Sequence, residues 1–98
     1  MRNFLKSSTV EMPDGEPLVI RELSAGGRRA LMEATREHKG DPFMLYATTA
    51  KHGSPELFGE TVEDILAAYP PDLLATVAGE ILKLSGIAAD SEAQAEKN

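Results

Sequence analysis

The sequence predicts an α+β domain, with an N-terminal β-hairpin followed by a mainly helical part of about four helices. Three observations carry this. Asp14-Gly15 lies between two β-leaning runs, and Asp-Gly is a strong reversal signal because glycine tolerates the positive φ of a tight turn. From Ser24 to Gly86 the apolar residues recur at helical spacing. The chain has 98 residues, 42% of them hydrophobic and 27% charged, which is ordinary globular usage and suits one modest core over residues 1–87.

The hairpin is expected over residues 3–22. Residues 3–12 are β-leaning with an imperfect period of two, and Pro13-Asp14-Gly15-Glu16 makes the turn. Pro17 begins the second strand, where a missing N–H is tolerated. A lone hairpin is marginal in water, so it must pack on helices or on another subunit.

Ser24 is expected to cap a helix running to about Lys39 and stopped by Gly40, with Leu31, Ala34, Thr35 and His38 facing inward. Gly26-Gly27 weakens its first turn, and close packing against the hairpin explains both glycines. Asp41-Pro42 opens a second helix in the favoured order of cap then proline, ending before Gly53. Residues 53–60 form a loop. Thr61 and Asp64 resemble a capping box at the head of a third, short helix whose apolar face is Val62, Ile65, Leu66 and Tyr69. Pro70-Pro71 ends it, and Asp72 starts a fourth helix carrying Leu73, Leu74, Val77, Ala78, Ile81 and Leu84, closed by Ser85-Gly86. Residues 88–98 are small and polar and are expected to be a flexible tail.

Composition excludes several classes of function. There is no cysteine, which removes disulfides, thiolate nucleophiles and Cys-ligated metals. No apolar run approaches the roughly 20 residues that cross a bilayer, and Met-Arg-Asn-Phe-Leu-Lys is no signal peptide, so a reducing cytoplasm and no membrane are expected. Net charge is −6. Residues 1–49 carry seven basic and seven acidic side chains, whereas residues 50–98 carry three and nine. Such a chain repels phosphate backbones, so no nucleic-acid partner is expected. The uneven split fits either two solvated faces or head-to-tail self-association.

No catalytic constellation is visible. His38 and His52 lack partners at metal-ligand spacing and sit at helix C-termini, where positive charge is favourable; Glu37, adjacent to His38 on a helix, points away from it. Ser24-Ala25-Gly26-Gly27 is not a phosphate loop, and no serine lies in a nucleophile elbow. Asp90-Ser91 lacks the helix start and following Leu of a carrier-protein site. Arg28, Arg29 and Arg36, compensated by Glu33 and Glu37, read as a solvated face. The chain is therefore expected to be no enzyme and to need no cofactor or metal. The C-terminal half carries a surplus of large apolar side chains, so one apolar face should seek a partner.

The order of elements resembles the tail assembly chaperones of long-tailed bacteriophages and prophages. The resemblance rests on Val19-Ile20-Arg21-Glu22-Leu23-Ser24 followed by Arg28-Arg29, then Gly53 with Leu57-Phe58, Glu63-Asp64-Ile65, the proline break and Leu84-Ser85-Gly86. It covers residues 10–86 as a pattern of degenerate pieces whose order and spacing carry the specificity. Gly27, where the family often has an acidic residue, and Lys51-His52, where it often has Asp before the turn, depart from it. The resemblance implies a non-enzymatic role in the host cell cytoplasm. The chain would bind the tape measure protein, keep its apolar stretches soluble, support assembly of the tail tube protein, and self-associate as a homo-oligomer. A competing reading is a small acidic phage-encoded adaptor or inhibitor acting by protein–protein interaction.

The partner surface is expected to include Phe58, Leu66, Tyr69 and Leu73, around the break where two helices meet, with plain core as their alternative role. The family commonly makes a longer form by ribosomal frameshifting. Glu96-Lys97-Asn98 can be encoded by an almost unbroken run of adenines, which would make residues 88–98 a linker.

Overall fold

The computed structural model describes residues 2–87. The tail, Asp90-Ser91 and the frameshift reading lie outside the described residues. The architecture is an antiparallel two-stranded hairpin, β1 (Ser7–Glu11) and β2 (Pro17–Arg21), followed by four helices: α1 (Ala25–Glu37), α2 (Pro42–Gly53), α3 (Val62–Ala68) and α4 (Pro71–Leu84).

Val10 pairs with Leu18 and Ser8 with Ile20, so one face of the hairpin presents Val10, Leu18 and Ile20, all buried. That face lies on α4. The turn closes with the Gly15 N–H on the Met12 carbonyl at 2.9 Å, and Gly15 has φ +86°, which explains why glycine is needed there. Ladder contacts extend one residue past the strands, with the Glu22 N–H donating to the Lys6 carbonyl. Residues 2–5 precede the hairpin without joining it, so it begins later than residue 3.

The Ser24 hydroxyl caps α1 by accepting from the Gly27 N–H at 3.0 Å. α1 ends at Glu37, two residues short of expectation, and Gly40 reverses the chain at φ +80°. Ala34 is buried and Leu31 and His38 partly so, but Thr35 faces solvent and donates to the Leu31 carbonyl instead. The paired glycines also differ from the expectation. A Cβ on Gly27 would sit 3.2 Å from the His52 Cβ and 3.3 Å from Leu23, whereas one on Gly26 meets only the Ser24 hydroxyl. The close approach is thus to the end of α2 as well as to Leu23 at the exit of the hairpin, and it involves Gly27 alone.

α2 is the central element and touches α1, α3 and α4. Its α4-facing side is made of small residues, with Ala47 and Ala50 fully buried and Gly53 at the end. Gly53 is the last residue of the helix, not the first of a loop. A Cβ there would lie 2.5 Å from two carbons of Ile81, so α4 approaches more closely than any side chain permits. The buried Thr48 and Thr49 hydroxyls donate to the Met44 and Leu45 carbonyls, which satisfies both internally.

α3 carries half of the expected capping box: the Thr61 hydroxyl accepts from the Asp64 N–H at 3.1 Å. α4 begins at Pro71 rather than Asp72, because proline at the first helical position loses no hydrogen bond. It ends in a Schellman arrangement, with the Ile87 N–H on the Leu82 carbonyl, the Gly86 N–H on the Lys83 carbonyl and Gly86 at φ +78°. One core cluster joins Val10, Leu18, Ile20 and Leu23 to Ala47, Ala50, Leu57, Ile65 and the inner face of α4.

Candidate protein-binding surface

The break between α3 and α4 consists of two extended residues, Tyr69 (φ −108°, ψ 129°) and Pro70 (φ −62°, ψ 150°). The Tyr69 N–H still donates to the Ile65 carbonyl at 3.1 Å, so the side chain is held against the end of α3. With α4 restarting at once, the last turn of α3 and the first turn of α4 flank an open apolar cleft. Leu66, Tyr69, Pro71 and Leu74 line it, and Phe43 from the first turn of α2 completes it. Phe43 is 45% exposed and stands edge-on to Tyr46, ring centroids 6.2 Å apart.

Of the four residues expected in the partner surface, the structure brings Leu66 and Tyr69 together in this cleft. Leu73 is partly buried against the core and does not line it. Phe58 lies elsewhere, 59% exposed, beside a second cleft with Leu5, Arg21, Ser24, His52 and Pro55. Phe43 was not anticipated. Its position directly after Pro42 marks a helix start, but nothing local shows that α3 and α4 lie beside it.

Lys51 decides where Phe58 goes. Its ammonium donates to the Phe58 and Glu60 carbonyls at 2.6 and 2.7 Å and stands 5.3 Å from the Phe58 ring centroid. The loop after α2 is thereby clamped onto that helix, and His52 packs edge-on against the same ring at 5.7 Å. Burial, then the Lys51 charge, lowers the His52 pKa below its ordinary value. The other histidine departs from expectation. His38 follows the last helical residue of α1, so its Nε2 reaches to 3.9 Å from the Glu37 carboxylate instead of pointing away. Exposed pairs of this kind contribute little.

On its other side Tyr69 borders a further cleft between the hairpin turn and the loop after α2. Asp14, Glu16 and Glu56 stand around it, above Met12, Leu18 and Leu57. The Tyr69 phenol is pushed above its ordinary pKa, first by burial and then by the Glu56 and Asp14 carboxylates.

The arginines are less uniform than a solvated face. The Arg28 guanidinium donates to the Ser85 carbonyl at 2.6 Å, satisfying a group at the negative end of α4. Among the described residues, no three His, Asp or Glu side chains are grouped so as to hold a metal ion. No helix there is long and apolar enough to cross a membrane. Comparison with protein-family models, curated proteins and solved structures finds no match for this chain.

The two edges of the hairpin differ. Val19 directs its backbone polar groups away from β1, where the N–H donates to the Glu56 carboxylate at 3.0 Å and the carbonyl accepts from the Ser54 hydroxyl at 2.8 Å. Pro17 has no N–H, and the Leu23 N–H donates to the Ser85 hydroxyl. The outer edge of β2 is therefore covered at Val19 and, just beyond the strand, at Leu23, whereas the outward backbone groups of Arg21 have no hydrogen-bond partner among the described residues. Along β1 the outward groups of Ser7, Thr9 and Glu11 have no hydrogen-bond partner among the described residues.

Proposed function

We propose that this chain is a tail assembly chaperone of a long-tailed phage or prophage, a non-enzymatic binder of the tape measure protein acting in the host cell cytoplasm. The observation that carries the reading is the apolar cleft of Phe43, Leu66, Tyr69, Pro71 and Leu74, open on the surface at the α3–α4 break. Such a cleft suits the apolar stripe of a client helix, with Tyr69 as an anchor of large area and small entropic cost. A hairpin followed by four helices is also the element order that the family resemblance implies.

Co-expression with a tape measure protein tests this. The chain should keep the client in the soluble fraction and co-purify with it. Tyr69→Ala should weaken that capture severalfold while lowering the melting temperature by only a few degrees, because the side chain is partly exposed. A client that precipitates equally with and without the chain refutes the reading. A large fall in melting temperature would assign Tyr69 to the core.

Self-association belongs to the same proposal, and the β1 edge supports it. Two copies of β1 placed antiparallel about Thr9 would pair Ser7 with Glu11 of the other copy through otherwise unused backbone groups. Light scattering should show an oligomer that Thr9→Pro reduces to a monomer. Proline there removes an outward N–H without touching the ladder to β2. A wild-type monomer at high concentration, or an oligomer indifferent to Thr9→Pro, counts against this edge.

A further inference from the structure

Tyr69 is the wall between two clefts of opposite character. On one side the surface is apolar, formed by Phe43, Leu66, Pro71 and Leu74. On the other it is rimmed by Asp14, Glu16 and Glu56 over Leu18 and Leu57. Among the described residues these three carboxylates form no ion pair with a cation of this chain.

Two of them are also fixed in direction. One oxygen of Asp14 accepts from the Glu16 N–H at 2.9 Å, and one oxygen of Glu56 accepts from the Val19 N–H at 3.0 Å. Their second oxygens have no partner among the described residues. Carboxylates held by backbone donors lose little further freedom on binding, so they are preorganised acceptors rather than a diffuse solvated charge.

We infer that the two clefts form one groove astride Tyr69, which takes an amphipathic helix bearing Lys or Arg about one turn from a large apolar residue. This rests on the tape-measure reading and adds the chemistry of the segment bound. The apolar side chain enters the cleft of Phe43 and Leu66. The cation passes over the Tyr69 ring, where the ring face attracts it, and meets the carboxylates beyond. Residues three or four apart on a helix stand about 5–6 Å from each other on one face, so a single helix can present both side chains to two clefts that share Tyr69 as a lining residue. A helix with a carboxylate in place of the cation is rejected by like charge, so the acidic rim selects among the apolar segments of a long client. The exposed face of α1 in a second copy, Arg29, Met32 and Arg36, fits less well, because Glu33 and Glu37 lie beside it and would face the same carboxylates.

The test uses the full chain and two synthetic amphipathic helices of equal helicity and identical leucines. One carries Lys one turn from each leucine, and the other carries Gln there. Fluorescence anisotropy should show the Lys peptide binding about fivefold more tightly at low salt, a gap expected of one or two partly exposed ion pairs. The gap should shrink in high salt and narrow in Asp14→Asn/Glu16→Gln, which leaves Glu56 in place and whose turn is preserved because Asn also accepts the Glu16 N–H. Glu60→Gln/Glu63→Gln should leave it unchanged. Equal binding of both peptides, lost in Tyr69→Ala, overturns the acidic subsite and leaves the apolar docking reading standing. Binding of neither peptide overturns both. A wild-type oligomer converted to monomer by Asp14→Asn/Glu16→Gln would make the second copy the occupant, and that also overturns the proposal.

Discussion

Gly53→Ala is expected to lower the melting temperature by roughly 10–20 °C, from an overpacking cost of about 2–3 kcal/mol in a domain of this size. Glycine to alanine within a helix ordinarily stabilises by up to about 1 kcal/mol. Here that gain is outweighed, because the new methyl would lie 2.5 Å from both the γ2 and δ1 carbons of Ile81, and Ile81 is fully buried with no space to move into. The helices must separate, and the loss spreads to Ala47, Ala50, Val77 and Ala78 along the same contact. Ile81→Ala alone should cost about 2–5 kcal/mol by leaving a cavity. The double variant should be less destabilised than the two single effects added, because each change relieves the other. Additive single effects in thermal melts would show that the α2–α4 approach is not set by this pair.

Gly53 also shows where sequence reasoning stops. A glycine at the end of a helical pattern reads as a stop, and the helix does end there. What fixes the residue type is a separation between helices, and α4 is remote in sequence, so no local pattern carries that information. The hairpin was legible because its determinants are local: Asp14-Gly15 sets the turn, and alternation places Val10, Leu18 and Ile20 on one face. The caps at Ser24, Asp41 and Thr61 were legible for the same reason, since each acts on an N–H three residues away.

The candidate surface divides along the same line. Leu66 and Tyr69 lie three residues apart on α3 and its cap, so the 3.6-residue period places them together. Phe58 was misplaced because a lysine on the preceding helix holds its loop, and Lys51 reads only as a helix-terminal cation. Asp14 and Glu16 look like turn residues and Glu56 like a loop residue. Their convergence around Tyr69 depends on how the hairpin lies across α4. The covering of β2 at Val19 was hidden for a related reason. Ser54 and Glu56 are ordinary loop residues until the loop is laid alongside Val19.

Ser85→Ala is expected to be the most damaging polar change, costing about 1–3 kcal/mol and accelerating hydrogen exchange at the Leu23 amide. Ser85 is buried, and its hydroxyl accepts from the Leu23 N–H at 2.8 Å while donating to the Ile81 carbonyl at 2.7 Å. Its own carbonyl takes the Arg28 guanidinium at 2.6 Å. One residue at the end of α4 thus ties down both the exit of the hairpin and the first turn of α1. Removing the hydroxyl leaves the Leu23 N–H buried beside Leu23 itself, which is 5% exposed, with no other acceptor among the described residues. The loss is that of an unsatisfied buried donor, which exceeds the net value of an ordinary hydrogen bond. Ser85→Thr retains the hydroxyl and should fall between wild type and alanine, whereas Ser8→Ala, on the exposed part of β1, should be neutral within about 0.5 kcal/mol. Exchange at Leu23 no faster in Ser85→Ala than in wild type would mean that the hairpin is held to α4 by its apolar face alone.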